Sequence, residues 1–367
     1  MSGAVTEAKK PARSAAKIPA VILGATGAVG QRFVSLLDGH PWFETVAVAA
    51  SERSAGRSYD DACHWILSDA LPEAIGRMTV DPLDPDAVRC DRQAVAFSAL
   101  PAEAARAMEP VFAEAGFAVC SNASAYRETA DVPLLIPEVN PEHLALLGTQ
   151  QAKRGWPGLL VTNPNCSTTG IALAVKALDE AFGLRQAVVC TLQAISGAGY
   201  PGIPSLDILG NVVPWIPTEE DKIERETCIL LGRIEEDRRV EADVTVSAHV
   251  HRVPVVDGHT FALSLGFEET PSASDAEKVL GAFRGPARVR RLPGAPGRPV
   301  RVLDGVDRPQ PRLDLGGENG MQVSVGRIRP CSLLDLRMVG LVHNTLRGAA
   351  AGAILNAELL VAEGWLR

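Results

Sequence analysis

At 367 residues the chain is long enough for two domains, each with its own core. Its 46% hydrophobic and 22% charged content is that of a globular protein, and a net charge of −8 argues against a nucleic-acid surface. No apolar run nears the ~20 residues that a membrane-crossing helix needs. Seven cysteines, odd in number and without a CxxC spacing, argue against a disulfide framework or a zinc site and fit a reducing cytoplasm.

Met1 to Lys17 is rich in Ala, Lys and Ser, lacks the apolar core of a signal peptide, and reads as a disordered tail. Ile18 to Leu23 is then a short buried strand entering Gly24-Ala25-Thr26-Gly27-Ala28-Val29-Gly30 and an amphipathic helix through Leu37. Strand, glycine-rich turn and helix in that order let backbone N–H groups approach a pyrophosphate at the helix N-terminus. GxxGxxG is less specific than GxGxxG, so a plain tight turn is the competing interpretation. A second strand, Thr45 to Ala50, leads into Ser51-Glu52-Arg53-Ser54-Ala55-Gly56. Hydroxyls and a guanidinium here suit the 2′-phosphate of NADP, while Glu52 leaves NAD open, because an acidic residue at this place binds ribose hydroxyls.

Ala94 to Ala99, a helix over Ala102 to Ala115, and Phe117 to Cys120 continue the alternation, which predicts a mainly parallel sheet. Ser98-Ala99-Leu100-Pro101 leaves its strand at the C-terminal end, where such sheets place ligands. Residues 18–165 are thus expected to form a Rossmann-like dinucleotide-binding domain. Arg127 follows Ser121-Asn122-Ala123-Ser124 after the fourth strand.

Asn163-Pro164-Asn165-Cys166-Ser167-Thr168 places a cysteine at the start of an apolar helix, Ile171 to Leu178. Unpaired N–H groups and the helix dipole would favour a thiolate there and would hold an oxyanion beside it. The alternative is that Asn165 caps the helix and Cys166 packs as a small apolar residue. Beyond it, Ala187 to Ala194, Val244 to Val255, Thr260 to Phe267 and Leu333 to Val342 predict an α+β domain over 166–343, with a mainly antiparallel sheet covered on one face. Residues 284–299, rich in Pro, Gly and Arg, read as a long surface loop. The chain from Asn344 enters a small-residue helix ending near Ala362, and 344–367 is expected to return to the first domain.

In this second half Gln193 stands at a strand end before the Ser196-Gly197-Ala198-Gly199 loop. Arg252 and His259 flank a predicted tight turn, one suited to a carboxylate and the other to proton exchange near pH 7. Glu219 and Lys222 share a helix face, as catalytic groups or as a solvated ion pair. His249 and His251 alternate on a strand without a third ligand at a recognisable spacing, so no metal is expected.

Twelve segments in order resemble the aspartate-β-semialdehyde dehydrogenase family, particularly the branch typical of archaea and fungi. They are GATGAVGQRF (24–33), SERSAG (51–56), SALP (98–101), SNASAYR (121–127), VPLLIPEVN (132–140), NPNCST (163–168), QAISGAGYPG (193–202), NVVPWIPTEEDKI (211–223), HRVPVVDGH (251–259), RPQPRLD (308–314), GMQVSVGR (320–327) and HNTLRGAA (343–350). The resemblance runs from Ile18 to Leu366.

It implies that Cys166 is the nucleophile, His259 the acid/base, and Gln193 the residue orienting the substrate. Arg252 would bind the α-carboxylate, and Glu219, or its neighbour Glu220, the ammonium group. Arg127, Lys222 and Asn165 would surround the phosphoryl group. Gly24, Thr26, Gly27, Ala28 and Val29 would line the cofactor pyrophosphate and Ser51, Arg53 and Ser54 its 2′-phosphate. Ser98, Ala99, Leu100, Gly197 and Asn344 would complete the cofactor site, Asn344 near the nicotinamide. The implied reaction is NADPH-dependent conversion of L-aspartyl 4-phosphate to L-aspartate 4-semialdehyde, serving lysine, threonine and methionine biosynthesis. The implied assembly is a homodimer or homotetramer. An acyl-CoA reductase of the malonyl-CoA type is an alternative with the same thioester chemistry. A non-catalytic NADP-binding protein would predict a damaged Cys/His/Gln set, and here that set is intact.

Overall fold

The computed structural model describes residues 16–88 and 94–366. All but two residues of the tail expected over 1–17 lie outside that range, as does Arg367 at the end of the C-terminal segment.

Apolar runs make the first sheet. β1 (Ile18–Leu23), β2 (Phe43–Ala49), β3 (Val95–Ser98), β4 (Ala118–Ser121) and β5 (Leu159–Thr162) pair in the order β2-β1-β3-β4-β5, all parallel. Alternate residues of β1 feed two cores. Ala20 and Ile22 join Phe33, Phe43 and Phe97 on one face, while Val21 and Leu23 join Phe112 and Val119 on the other. A strand buried on both faces needs no polar alternation, which is why these runs are continuously apolar. The C-terminal helix Ala351–Ala362 adds Leu355, Leu359 and Leu360 to the first of these cores.

The second sheet is mixed. β6 (Leu184–Gln193), β9 (Thr245–Arg252), β10 (His259–Phe267), β11 (Val300–Leu303), β12 (Val323–Pro330) and β13 (Leu336–Val342) run in the order β11-β12-β13-β10-β6-β9, apart from a small hairpin of β7 (Arg233–Glu235) and β8 (Arg238–Val240). Three of its five pairings are antiparallel; β6 with β9 and β11 with β12 are parallel. One face buries Val189, Val250, Phe261, Leu263 and Met338 against Ile171, Val175 and Leu178 of the helix Cys166–Phe182. The opposite face is open, with Val188 and Leu192 exposed.

Several boundaries differ from the sequence reading. β9 stops at Arg252 rather than Val255, because Pro254 has no N–H for a ladder. β13 begins at Leu336, since Leu333 lies in an exposed turn. β11 and β12 carried no clear period and were not expected. Segment 284–299 is not a free surface loop: Val289 and Leu292 are buried in the first sheet's core, and the N–H of Gly294 is held by the Glu358 carboxylate.

Candidate active site

Cys166 is the first residue of its helix, and Asn165 is the cap. Asn165 Oδ1 accepts from the N–H groups of Ser167 (2.9 Å) and Thr168 (3.2 Å). Those donors are therefore engaged by the cap, although the Ser167 N–H also reaches Cys166 and favours its thiolate. The preceding Asn163 ties this turn to its surroundings: its amide donates to Asn122 Oδ1 (2.9 Å) and to the Ala349 carbonyl (2.8 Å). Behind Cys166, the π-helical turn Leu346–Ala350 brings Gly348 so close that a Cβ there would lie 2.7 Å from the Cys166 Cβ. That turn is anchored by a buried two-point pair between Arg347 and Glu138, at 2.7 and 2.6 Å.

The second sheet supplies three groups at one edge. Gln193 ends β6, Arg252 ends β9 directly beside it in register, and His259 begins β10. All three are buried. Ala194 joins two of them: its N–H donates to His259 Nδ1 (3.0 Å), and its carbonyl accepts from Arg252 Nη1 (2.7 Å). His259 Nε2 is left buried without a hydrogen-bond partner among the described residues.

The helix Glu219–Leu231 supplies the acidic wall. Glu219 is buried and accepts from the Asn165 amide at 2.8 Å, with Lys222 Nζ 4.0 Å away. Glu220 instead accepts from the Val250 N–H at 3.1 Å, so the helix turns it toward β9 and away from Cys166. Of the two candidate partners for an ammonium group, Glu219 is the one beside the cysteine. Arg127 is buried, donating from Nη1 to Glu226 (3.0 Å) and from Nη2 to the Asn122 carbonyl (2.7 Å). Arg127 and Lys222 border a cavity of about 450 Å³.

Electrostatics depart from the expectation of a low thiol pKa. Burial and the Glu219 carboxylate push the Cys166 thiol up to about 12, against the opposing pull of Arg127 and Arg252. The helix N-terminus is outweighed because its field is small beside desolvation of the thiolate. Burial, with Arg252 and His343, drives His259 down to about 3, so the ring is neutral in this state.

The dinucleotide elements face the loops of the second sheet, with Arg32 of the helix Ala28–Leu37 3.8 Å from Asp257. Gly24 has φ +77°, and a Cβ there would meet the Ala99 carbonyl oxygen at 2.8 Å, so the glycine turn and the Ser98-Ala99-Leu100 loop touch. Gly27 precedes the helix Ala28–Leu37 without any side-chain cap bond, which leaves the first turn of Ala28 and Val29 suited to a pyrophosphate beside Thr26. Ser51 and Arg53 are exposed just beyond β2 and Ser54 is buried beneath them, an open polar rim that fits a 2′-phosphate. Asn344 ties together two loops of the second half, donating to Ser196 Oγ (2.8 Å) and accepting from the Gly258 N–H (2.9 Å). Gly197 lies against Arg252 and His259; a Cβ there would fall 2.7 Å from Arg252 Nη1. His249 is exposed, and His251 faces Cys190 Sγ (3.7 Å) and the Thr191 carbonyl (3.2 Å) on the sheet's open face, apart from this cluster.

Sequence reasoning missed Glu226, Ala194, Gly348 and the Arg347–Glu138 pair. Glu226 had a signal, since Glu219, Lys222 and Glu226 repeat at i, i+3, i+7 on one helix face. The others had none, because a backbone contact and a pair 209 positions apart leave no local pattern.

Comparison with known proteins places the chain in a family. Residues 19–147 match the family model of the semialdehyde dehydrogenase NAD-binding domain, and residues 175–347 that of the semialdehyde dehydrogenase dimerisation domain. The chain is 49% identical over 343 residues to the aspartate-semialdehyde dehydrogenase of Archaeoglobus fulgidus, covering 93% of this chain and 97% of that one. It is 45% identical over 363 residues to the Saccharomyces cerevisiae enzyme of the same name, covering 95% and 99%. The crystal structure of Candida albicans aspartate semialdehyde dehydrogenase with NADP superposes with a TM-score of 0.87 at 43% identity, over 95% of this chain and 99% of that one. The chain belongs to the aspartate-semialdehyde dehydrogenase family.

Proposed function

We propose that the protein catalyses the NADPH-dependent reductive dephosphorylation of L-aspartyl 4-phosphate to L-aspartate 4-semialdehyde through a thioester on Cys166. The observation that carries this reading is the set of groups around one cysteine: Arg252, Glu219 and Arg127 all lie within electrostatic reach of Cys166. A substrate with an α-carboxylate, an α-ammonium group and a phosphoryl group has one partner for each. NADP as cofactor is supported by the polar rim of Ser51, Arg53 and Ser54, and by the NADP complex of the Candida relative.

In this scheme Arg252 holds the carboxylate by paired hydrogen bonds and Glu219 holds the ammonium group. Arg127, Lys222 and Asn165 receive the phosphoryl group. The Cys166 sulfur attacks the acyl carbon, the C–O bond to phosphate breaks, the thiol proton departs with the leaving phosphate, and the thioester forms. When bound, NADPH supplies the hydride that reduces the thioester carbonyl. Gln193 orients the acyl group, and His259 donates from Nε2–H to the oxyanion; proton exchange at that nitrogen requires the Ala194 bond to Nδ1 to open first. Because Nδ1 accepts from Ala194, the resting ring carries its hydrogen on Nε2, the form that donates to an oxyanion. Collapse of the hemithioacetal returns the thiol and releases the aldehyde.

The open face of the second sheet, with Val188 44% and Leu192 42% exposed, supports a homodimer formed through that face, or a tetramer of such dimers. No helix among the described residues is long and apolar enough to cross a membrane, and a cytoplasmic location follows from the proposed biosynthetic role.

The test is reduction of NADP by L-aspartate semialdehyde with and without inorganic phosphate, beside oxidation of NADPH by malonyl-CoA. Phosphate-dependent reduction is the expected result. Turnover of malonyl-CoA alone would retain Cys166 as nucleophile and move the substrate to a CoA thioester.

A further inference from the structure

Glu226 is 1% exposed, two turns along the helix from Glu219, on the same face. One of its oxygens takes Arg127 Nη1 at 3.0 Å, and the other accepts from the backbone N–H of Asn165, the residue that precedes the nucleophile. A single carboxylate therefore bridges the guanidinium assigned to the phosphoryl group and the turn that presents Cys166. Burying a carboxylate beside the like-charged Glu219 is unfavourable, and what offsets it is the pair of donors it meets, the Arg127 guanidinium and the Asn165 N–H, both of which would be stranded without it. The bridge also decides which donors Arg127 keeps. Nη1 is tied to Glu226 and Nη2 to the Asn122 carbonyl, so the guanidinium plane is fixed at two points while its Nε–H stays buried without a partner among the described residues.

We infer that Glu226 is a positioning residue of the phosphate subsite, locking the Arg127 guanidinium to the Cys166 turn so that phosphate and nucleophile meet in one register. This rests on the acyl-phosphate reading above and goes beyond it, because it assigns Glu226 to act through Arg127 and the Asn165 N–H.

Glu226→Gln is the informative change. Two donors, Arg127 Nη1–H and Asn165 N–H, point at the two carboxylate oxygens. An amide of the same shape offers one acceptor and one donor, so it breaks one arm of the bridge whichever way it turns. If Glu226 served only to neutralise Arg127, removing its charge would tighten phosphate binding. If it positions Arg127, phosphate binding weakens.

The experiment measures the KM for inorganic phosphate and for L-aspartate semialdehyde in the wild type, E226Q, R127K and the double variant. It also measures how phosphate alters the rate of Cys166 alkylation by iodoacetamide without turnover. The expected result for E226Q is about a tenfold rise in phosphate KM, the scale of one charge-assisted hydrogen bond. The aldehyde KM stays within about twofold, and the phosphate concentration for half-effect on alkylation rises in parallel. In the double variant the phosphate KM matches that of R127K rather than the product of the two single effects. An unchanged or lowered phosphate KM in E226Q, or multiplicative effects in the double variant, overturns the role of Glu226. Should E226Q not fold, Glu226→Asp carries the same readout, since its shorter reach releases one of the two donors. A wild type on which phosphate acts neither in turnover nor on alkylation overturns the acyl-phosphate reading together with this one.

Discussion

The backbone N–H of Ala194 donates to Nδ1 of His259 at 3.0 Å, which fixes both the orientation and the tautomer of the ring. The hydrogen of the neutral imidazole is then on Nε2, and to accept a proton there the ring would first have to give up its bond to Ala194. Nitrogen-15 NMR of the histidines is expected to show the Nε2–H tautomer for His259. Because burial, Arg252 and His343 hold its pKa near about 3, the signal should stay neutral from pH 8 down to pH 4. An imidazolium signal for His259 at pH 6 would refute this account of the site.

Gly348 tests how tightly the nucleophile is held. A Cβ at this position would lie 2.7 Å from the Cys166 Cβ and 2.9 Å from its Cα, and backbone cannot yield as a flexible side-chain tip does. Gly348→Ala should displace Cys166 and lower kcat by roughly 10²-fold, the cost of a misplacement near 1 Å. Overpacking should also cost about 1–3 kcal/mol of stability. Wild-type kcat in a folded G348A protein, measured by steady-state kinetics, would show that Cys166 is not seated by this turn.

The Arg347–Glu138 pair is about 1% exposed on both sides and holds the turn that carries Gly348. Removing one partner strands the other charge in the interior. Glu138→Gln or Arg347→Met should therefore each cost about 3–5 kcal/mol in urea unfolding. The double replacement E138L/R347M should recover much of that loss, since no charge is then left unpaired. Additive losses in the double variant would count against this view of the pair.

Acid should destabilise the protein over a defined window. Burial lowers His143 and His343 to about 4 and His259 to about 3. In the unfolded chain each takes up a proton near pH 6.5, whereas in the folded protein each stays neutral to far lower pH. The unfolded state thus binds more protons between these limits. The stability these neutral histidines contribute is fully present above about pH 6.5 and declines as pH falls, until it is lost near pH 3. Urea midpoints at pH 7.5, 6 and 5 should fall in that order, and His143→Asn should flatten the slope. A midpoint independent of pH over that range would contradict these directions.

Local order determined what was legible beforehand. Strand β1, the glycine turn and the helix Ala28–Leu37 announce themselves because apolar runs, glycine geometry and helical periodicity act over a few residues. The Asn165-Cys166 helix start was visible for the same reason, since a cap is a relation between neighbours. The sequence by itself thus determined the first strands and helices of the dinucleotide half, the cysteine at a helix N-terminus and, through the order of its motifs, the family.

Only the tertiary structure decided what each group's surroundings make of it. The Cys166 thiol is raised rather than lowered because burial and Glu219, 53 positions away, outweigh the helix end. Segment 284–299, polar and Pro-rich in sequence, is strapped down by Val289, Leu292 and the Glu358 carboxylate. Glu226 reaches Arg127 across 99 positions, and Arg347 reaches Glu138 across 209. Such pairings are settled by how sheets and helices pack, and desolvation depends on everything that surrounds a group. Neither quantity is written in the residues next to it along the chain.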